Sequence, residues 1–222
     1  NAEWGWALPV WLEYSYTSLC WGIILIVFVS LFSFASAFSF YIRHPEWWKI
    51  IIAGVLLVMS VEYIQWSHTR PIAHTIKNHR IVKGVILQTT EVTCAAASGA
   101  NLMNYWGQKK TEKQMAEIFQ TTRDGTSAAQ VIYGMRTLGI HCRKITMTVD
   151  QLAQSSTPIM LFIDNAATGP ESHAVAYMGT KQNKIEIWDP LLGKQLLSKK
   201  NVRQFWRGHG VLCQAPAKSK QK

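Results

Sequence analysis

The feature that most constrains this chain is an apolar run over residues 18–42 that contains no charged side chain. A helix over this run would exceed the roughly 30 Å hydrocarbon core of a bilayer, because each helical residue adds about 1.5 Å. A second apolar run follows at residues 47–66 and has tryptophans at both ends, as is typical of membrane interfaces. The two runs predict a transmembrane helical hairpin over residues 18–66, and the alternative is a pair of helices buried in a soluble protein.

The charges are distributed unevenly on the two sides of residue 66. The 222 residues carry a net charge of +10, of which the first 66 contribute −2 and the remainder +12. More basic residues follow the second run than lie in the turn, so the positive-inside rule predicts a cytoplasmic soluble part. A multi-pass location in the bacterial inner (cytoplasmic) membrane is expected, with the lipid bilayer as a partner. The basic residues are scattered, which argues against nucleic acid as a partner.

Composition also predicts how the rest of the chain is organised. Residues 1–17 are rich in Trp and Tyr and contain no basic residue, which predicts a short segment along the membrane interface. Residues 67–81 are predicted to be a linker, residues 82–214 a folded domain and residues 215–222 a disordered tail.

The folded domain changes its pattern half-way along. Helices are predicted over 95–106, 111–119 and 128–138, and Thr111 and Ser127 fit helix N-caps. Helices followed by strands predict an α+β domain, in which a helical lobe packs against an antiparallel sheet. The predicted strands are 82–87, 141–148, 158–163, 173–178 and 185–188.

Cys94 is the first candidate for chemistry. It follows a polar turn and precedes an alanine-rich helix, so the helix dipole would favour the thiolate form of its side chain. A thiolate nucleophile needs a neighbouring imidazole and a group that orients the imidazole. The Cys94 backbone N–H and the side-chain amide of Gln88, six residues upstream, are candidate donors to an oxyanion.

His173 and Asp189 are the candidate partners of this thiol in the strand-rich half. His173 begins a predicted strand, and Asp189 follows the next one. If the two strands pair as a hairpin, both side chains lie near one open end of it. The Asp189 carboxylate would then hold the imidazole Nδ1–H and fix its tautomer.

Five motifs of the folded domain occur in an order that is typical of one peptidase family. They are Gln88-x5-Cys94 followed by Ala95-Ala96-Ala97, Asp124-Gly125-Thr126-Ser127 with Leu138-Gly139 after it, the strand PIMLFID, Ser172-His173-Ala174-Val175, and Trp188-Asp189-Pro190-Leu191-Leu192-Gly193. Together they resemble the peptidase C39 family, papain-like cysteine peptidases known from bacteriocin-processing exporters. The resemblance covers roughly residues 82–211.

The resemblance implies a role for each candidate residue. Cys94 would be the nucleophile, His173 the general base and acid, Asp189 the orienting partner and Gln88 part of the oxyanion hole. It also implies a peptide substrate, often a leader cut after a Gly-Gly pair, with no metal and no cofactor.

The chain departs from the exporters of this family in two respects. Exporters carry six spans and a nucleotide-binding domain after the peptidase, whereas here two predicted spans come first and no GxxxxGK[ST] loop occurs. The expected protein is therefore a membrane-anchored stand-alone cysteine peptidase that cleaves the leader or precursor of an exported peptide, with separate export machinery as a partner. The alternatives are a non-catalytic C39-like module that delivers a substrate to a transporter, and acyl transfer to an amine.

The remaining cysteines and histidines have plainer interpretations. Cys20, Cys142 and Cys213 lie in apolar contexts and are interpreted as packing residues, although a Cys142–Cys213 disulfide stays open for an oxidising environment. The three histidines of the predicted linker do not share one helix face, so no metal site is expected there.

Overall fold

The computed structural model describes residues 29–38, 47–76 and 80–214, which fall into two units that divide after Arg70. In the first unit, residues 29–38 are helical and α1 spans Trp47–Thr69. Both helices have exposed apolar side chains, among them Phe34 and Leu56.

The predicted transmembrane hairpin is not supported. Within the described ranges, no helix is long and apolar enough to cross a bilayer. The predicted location as a multi-pass inner-membrane protein is therefore wrong, and the cytoplasmic placement that depended on the hairpin falls with it.

Several predictions concern residues for which the structure gives no description. The interfacial segment 1–17, most of the first apolar run and the tail 215–222 lie outside the described residues. The predicted linker 67–81 is partly described, and it is not all linker. Ile72, Ala73 and Ile76 are buried around a 3₁₀ turn, where the Ile72 N–H donates to Thr121 O at 2.9 Å.

The second unit is built on a six-stranded antiparallel sheet with the strand order β3-β8-β4-β5-β6-β7. A two-stranded hairpin of β1 and β2 precedes it. The strands are β1 (Arg80–Val82), β2 (Val85–Leu87), β3 (Cys142–Thr146), β4 (Ile159–Asn165), β5 (Gly169–Lys181), β6 (Lys184–Asp189), β7 (Gly193–Leu197) and β8 (Trp206–Cys213).

Helices cover the sheet, which confirms the predicted α+β class with an antiparallel sheet. The helices are α2 (Cys94–Tyr105), α3 (Glu112–Ile118), α4 (Ala128–Thr137), α5 (Val149–Gln154) and α6 (Lys199–Phe205). The hydroxyls of Thr111, Ser127 and Thr148 form capping boxes at the starts of α3, α4 and α5. These side chains satisfy backbone N–H groups that have no partner within the helix.

A hydrophobic core lies where α5 and α6 pack on the sheet. The two helices contribute Val149, Leu152 and Val202 to it. The strands contribute branched aliphatic and aromatic side chains, namely Ile145, Ile159, Leu161, Ile163, Val175, Tyr177, Ile185, Ile187 and Trp206.

The sequence patterns did not predict α5, α6, β7 or β8. β8 matters most, because it lies between β3 and β4 and completes the sheet. It also changes the interpretation of two cysteines as packing residues. Cys142 and Cys213 are direct cross-strand partners and form a disulfide, which joins residues 71 positions apart in the sequence.

Candidate active site

Cys94 is the first residue of α2 and carries a free, partly exposed thiol. Thr93 precedes the helix, but its side chain accepts no hydrogen bond from a backbone N–H of α2. The Thr93 hydroxyl instead donates to Thr90 O at 3.1 Å. Unlike the helices with capping boxes, α2 therefore begins with backbone N–H groups that its N-cap side chain leaves open to a ligand.

Gln88 is held by the turn that leads to Cys94. Its side-chain Nε2 donates to Thr90 O at 2.9 Å, which fixes the amide plane, and lies 3.4 Å from Glu91 O. The second contact is longer than an ordinary N–H···O bond, so this hydrogen can be given to an oxyanion at little cost. Among the described residues, Oε1 of Gln88 is buried without a hydrogen-bond partner.

His173 and Asp189 come together as the predicted hairpin requires. β5 pairs with β6 so that Ala176 lies opposite Trp188, which brings the two side chains to the same end of the strand pair. His173 is 5% exposed, and its Nε2–H donates to Asp189 Oδ1 at 2.9 Å. The prediction named Nδ1 as the nitrogen facing Asp189 and is wrong on this point, because the contact through Nε2 leaves Nδ1 as the nitrogen for a second partner.

The second partner of the His173 imidazole is the thiol of Cys94. Burial by itself lowers the pKa of His173, but hydrogen bonds to Asp189 and Cys94 outweigh it and raise the pKa to about 9. The raised pKa favours the cationic ring, which interacts with the Cys94 sulfur and is bonded to the Asp189 carboxylate. A cationic imidazole beside sulfur is the charge partner that a thiolate nucleophile needs.

Asp189 is itself oriented by the turn that follows β6. Its Oδ1 accepts the Leu191 N–H at 2.7 Å and lies 3.4 Å from the Leu192 N–H. The same turn reaches back to the first candidate segment, because the Gln88 N–H donates to Pro190 O at 3.0 Å. One backbone bond thus links the segment that carries Gln88 to the turn that carries Asp189.

Sequence reasoning missed a buried acid that supports the site. Glu112, the first residue of α3, is 0% exposed, and its Oε1 accepts both the Thr89 N–H at 2.8 Å and the Thr89 hydroxyl at 3.1 Å. Since Thr89 follows Gln88, this carboxylate anchors the turn that carries the amide. A Glu in the first turn of a helix is ordinary, and nothing in the local pattern distinguishes it from a solvated residue.

Two polar residues of α2 were also missed. The Asn101 side chain accepts the Ile86 N–H at 2.8 Å and donates to Ile86 O at 2.9 Å, which ties α2 to β2. The Ser98 hydroxyl donates to Ala174 O at 2.9 Å, which ties α2 to β5.

The arrangement of thiol, imidazole, carboxylate and amide suits acyl chemistry at sulfur. In the part of the chain that the structure describes, no three His, Cys, Asp or Glu side chains are grouped to hold a metal ion.

The chain is similar to several characterised and uncharacterised proteins. An uncharacterized protein of Methanothermobacter thermautotrophicus is 20% identical over 60% of this chain and 89% of its own length. The colicin V secretion/processing ATP-binding protein CvaB of Escherichia coli is 24% identical over 56% of this chain and 17% of its length. The transport/processing ATP-binding protein ComA of Streptococcus pneumoniae is 26% identical over 54% and 17%, so the chain spans under a fifth of either transporter.

Solved structures share the fold. A double glycine motif protease from an AMS/PCAT transporter, solved in complex with the leader peptide, is 20% identical, covers 63% of this chain and superposes with a TM-score of 0.53. The match spans 100% of that chain. The peptidase domain of Streptococcus ComA has the same identity and TM-score over 59% of this chain and 96% of its own.

The family model agrees with the fold and the motifs. The model of the Peptidase C39 family matches residues 83–218, which is more than half of the sequence and includes every candidate site residue. The chain belongs to the peptidase C39 family.

Proposed function

We propose that this chain is a cysteine peptidase that cleaves the leader of a peptide or protein precursor. The observation that supports this most directly is the bond between His173 and Asp189, together with the interaction of the same imidazole with the Cys94 thiol. In this proposal Cys94 is the nucleophile, His173 the general acid and base, Asp189 the orienting carboxylate and Gln88 a donor to the oxyanion.

The first half of the reaction forms a thioester. The Cys94 sulfur attacks the carbonyl carbon of the scissile peptide bond, and the carbonyl electron pair moves to oxygen. The open backbone N–H groups at the start of α2 and the Gln88 amide stabilise this oxyanion. The tetrahedral intermediate collapses, the C–N bond breaks, and the His173 imidazolium gives its proton to the leaving amine.

The second half of the reaction releases the acid. His173, now neutral, takes a proton from water, and the resulting hydroxide attacks the thioester carbonyl in the same oxyanion site. The C–S bond breaks, and the Cys94 thiolate is restored beside the imidazolium. Asp189 holds the ring through Nε2 during both halves, so that Nδ1 keeps facing the sulfur.

The substrate class is proposed from the relatives. The double glycine motif protease from a transporter was solved with the leader peptide, and the CvaB and ComA relatives are processing proteins by name. A leader that ends in a Gly-Gly pair is therefore the first substrate to test, and export machinery is the proposed recipient of the product.

The experiment uses the full chain and synthetic fluorogenic peptides that carry a Gly-Gly pair before the reporter amide. Wild-type protein is expected to release the reporter, and Cys94→Ala is expected to abolish release while the circular dichroism spectrum and thermal transition stay unchanged. A second readout is mass spectrometry of the wild type during turnover, which detects the acyl-enzyme on the peptide that contains Cys94.

Two results would overturn the proposal. If Cys94→Ala releases the reporter as fast as the wild type, Cys94 is not the nucleophile. If the wild type binds the peptides in a fluorescence-anisotropy titration but never cleaves them, the chain is a binding module of the peptidase fold.

A further inference from the structure

Ser98 lies one helical turn after Cys94 and bonds to the strand that carries His173. It is 0% exposed, and its hydroxyl donates to Ala174 O at 2.9 Å, across 76 residues of sequence. Ala174 is the residue after His173. The bond therefore connects the helix that begins with the thiol to the strand that carries the imidazole, next to the imidazole itself.

The acceptor of the Ser98 hydroxyl is informative, because a buried serine in a helix could instead donate to a carbonyl of its own helix. Serine hydroxyls inside helices commonly donate to the carbonyl four residues earlier, which here belongs to Cys94. Ser98 donates to the strand instead. A buried hydroxyl without a partner is costly, so this bond is held strongly at one distance.

The residues beside Ser98 on α2 are mostly buried alanines. Ala95, Ala96, Ala97 and Ala100 are all 0–1% exposed, so the buried part of α2 near the thiol is made of methyl groups. Methyl groups permit a close approach but pack without a preferred direction. A directional hydrogen bond can fix the distance between α2 and β5, whereas the alanines only permit a close approach.

We propose that Ser98 is a positioning residue, which sets the distance between the Cys94 sulfur and the His173 imidazole through its bond to the backbone of β5. This inference rests on the proposed function, since it assigns Ser98 a part in the same reaction. Proton sharing between sulfur and nitrogen depends steeply on their separation, and misplacement by about 1 Å can cost a hundredfold in rate.

The test is the variant Ser98→Ala, read out by the alkylation of Cys94. The second-order rate of iodoacetamide labelling is measured from pH 5 to 10 on the full chain, with the labelled peptide identified by mass spectrometry. In the wild type, labelling is expected well below pH 8. In Ser98→Ala, the profile is expected to shift toward that of an ordinary cysteine, whose pKa is about 8.5. The value of kcat should fall about 10- to 100-fold with KM nearly unchanged.

Tyr177→Phe is the matched control. Tyr177 is also 0% exposed and lies on β5, and its hydroxyl donates to Ser155 O, likewise at 2.9 Å. Both variants remove a hydroxyl-to-carbonyl bond that involves β5. Tyr177→Phe also removes a 3.3 Å contact with the Thr180 hydroxyl, so it should lower the melting temperature at least as much as Ser98→Ala. Tyr177→Phe should leave the labelling profile and kcat as in the wild type.

The outcomes separate the two proposals. An activated wild-type profile that Ser98→Ala leaves unchanged overturns the positioning role, whatever happens to the melting temperature. A wild-type Cys94 that labels like an ordinary cysteine overturns the proposed function instead. If Ser98→Ala does not fold, Ser98→Cys, whose thiol is a slightly larger and weaker donor, must give an intermediate profile for Cys94, with the alkylated position located by fragmentation of the labelled peptide. A wild-type profile in that variant contradicts the inference.

Discussion

The second unit of this molecule has two interiors that differ in the polarity of their buried side chains. The core under α5 and α6 consists of branched aliphatic and aromatic side chains. The helical side that begins with Cys94 combines alanines and larger apolar side chains, such as Met103 and Phe119, with several buried polar groups. Of the eight buried polar or charged side chains among the described residues, five lie in the helical stretch and two, His173 and Asp189, are candidate site residues. The five are Thr93, Ser98, Asn101, Glu112 and Thr121.

The difference indicates a division of roles between the two interiors, one for stability and one for positioning. Burial of apolar surface is non-directional and stabilises the domain wherever it occurs. Hydrogen bonds from buried side chains contribute little net stability, but they are costly to leave unmade and hold atoms at fixed distances. Ser98, Asn101 and Glu112 each bond to another segment that carries or adjoins a candidate site residue. We therefore expect substitutions of these bonding residues and of the site residues to affect turnover, and substitutions in the apolar core to affect stability.

The strongest test of this division is His173→Ala. Without the imidazole, the proposed reaction loses its acid and base, so kcat/KM is expected to fall by about 10³- to 10⁴-fold. The thermal transition should also fall, because His173 is buried, bonds to Asp189 and lies opposite Ile163 in the sheet, so its role in the reaction is judged from the activity per folded molecule. Steady-state kinetics with the fluorogenic peptide and differential scanning calorimetry measure the two effects. Retention of more than a tenth of the activity would refute the role of His173.

The disulfide between Cys142 and Cys213 tests the part of this division that concerns stability. The double variant Cys142→Ser with Cys213→Ser removes a bond that links positions 71 residues apart. The loop-entropy model gives a loss of about 4 kcal/mol in the free energy of unfolding. Urea denaturation measures this loss, and the activity per folded molecule should remain that of the wild type. A drop in kcat without a loss of stability would contradict the division.

Gln88→Ala should have a smaller effect on turnover. Loss of one oxyanion donor typically lowers kcat by about 10²- to 10³-fold. Gln130→Ala is a matched control, because its Nε2 also donates to a backbone carbonyl, Gln120 O at 3.0 Å, outside the candidate site. The control should change stability and leave kcat intact. Equal kcat values for the two variants would remove Gln88 from the proposed oxyanion hole.

The sequence predicted those features that local chemistry encodes. Thr111 and Ser127 begin helices as expected, because an N-cap is a short-range signal. Cys94, His173 and Asp189 could be named because they lie in family-like motifs. The pairing of β8 between β3 and β4 could not be predicted, since the glycine-rich strand Trp206–Cys213 lacks regular alternation and its partners are distant in sequence.

The supporting residues were hidden from sequence reasoning for a related reason. Ser98 bonds to a carbonyl 76 positions away, and Glu112 to the backbone and hydroxyl of a residue 23 positions away. Backbone atoms carry no residue-specific signal, so no side-chain pattern indicates these pairs. The predicted hairpin rested on the length and apolarity of two runs, and among the described residues no helix is long and apolar enough to support it.

The dependence of the free energy of unfolding on acidic pH should report on Glu186, a buried carboxylate of the sheet. Burial raises the pKa of Glu186, but hydrogen bonds from Lys181, Lys194 and Trp188 outweigh it and lower the pKa to about 2. A lowered pKa means that the ionised carboxylate stabilises the fold, and this contribution is lost as the pH falls from about 4.5 toward 2. Glu186→Gln should flatten the urea-measured stability in that window. An unchanged slope would show that other carboxylates dominate.

The change of stability at alkaline pH should report on the candidate site. The folded pKa of His173 is about 9, above the ordinary value of 6.5, so protonation stabilises the fold. This contribution is complete below pH 6.5 and is lost as the pH rises through 9. Urea denaturation from pH 6 to 10 should therefore show a decline that His173→Ala abolishes and Glu186→Gln retains. A decline that persists in His173→Ala would mean that the cationic ring does not contribute to folding, and the row of sulfur, imidazole and carboxylate would then lack the charge on which the proposed chemistry depends.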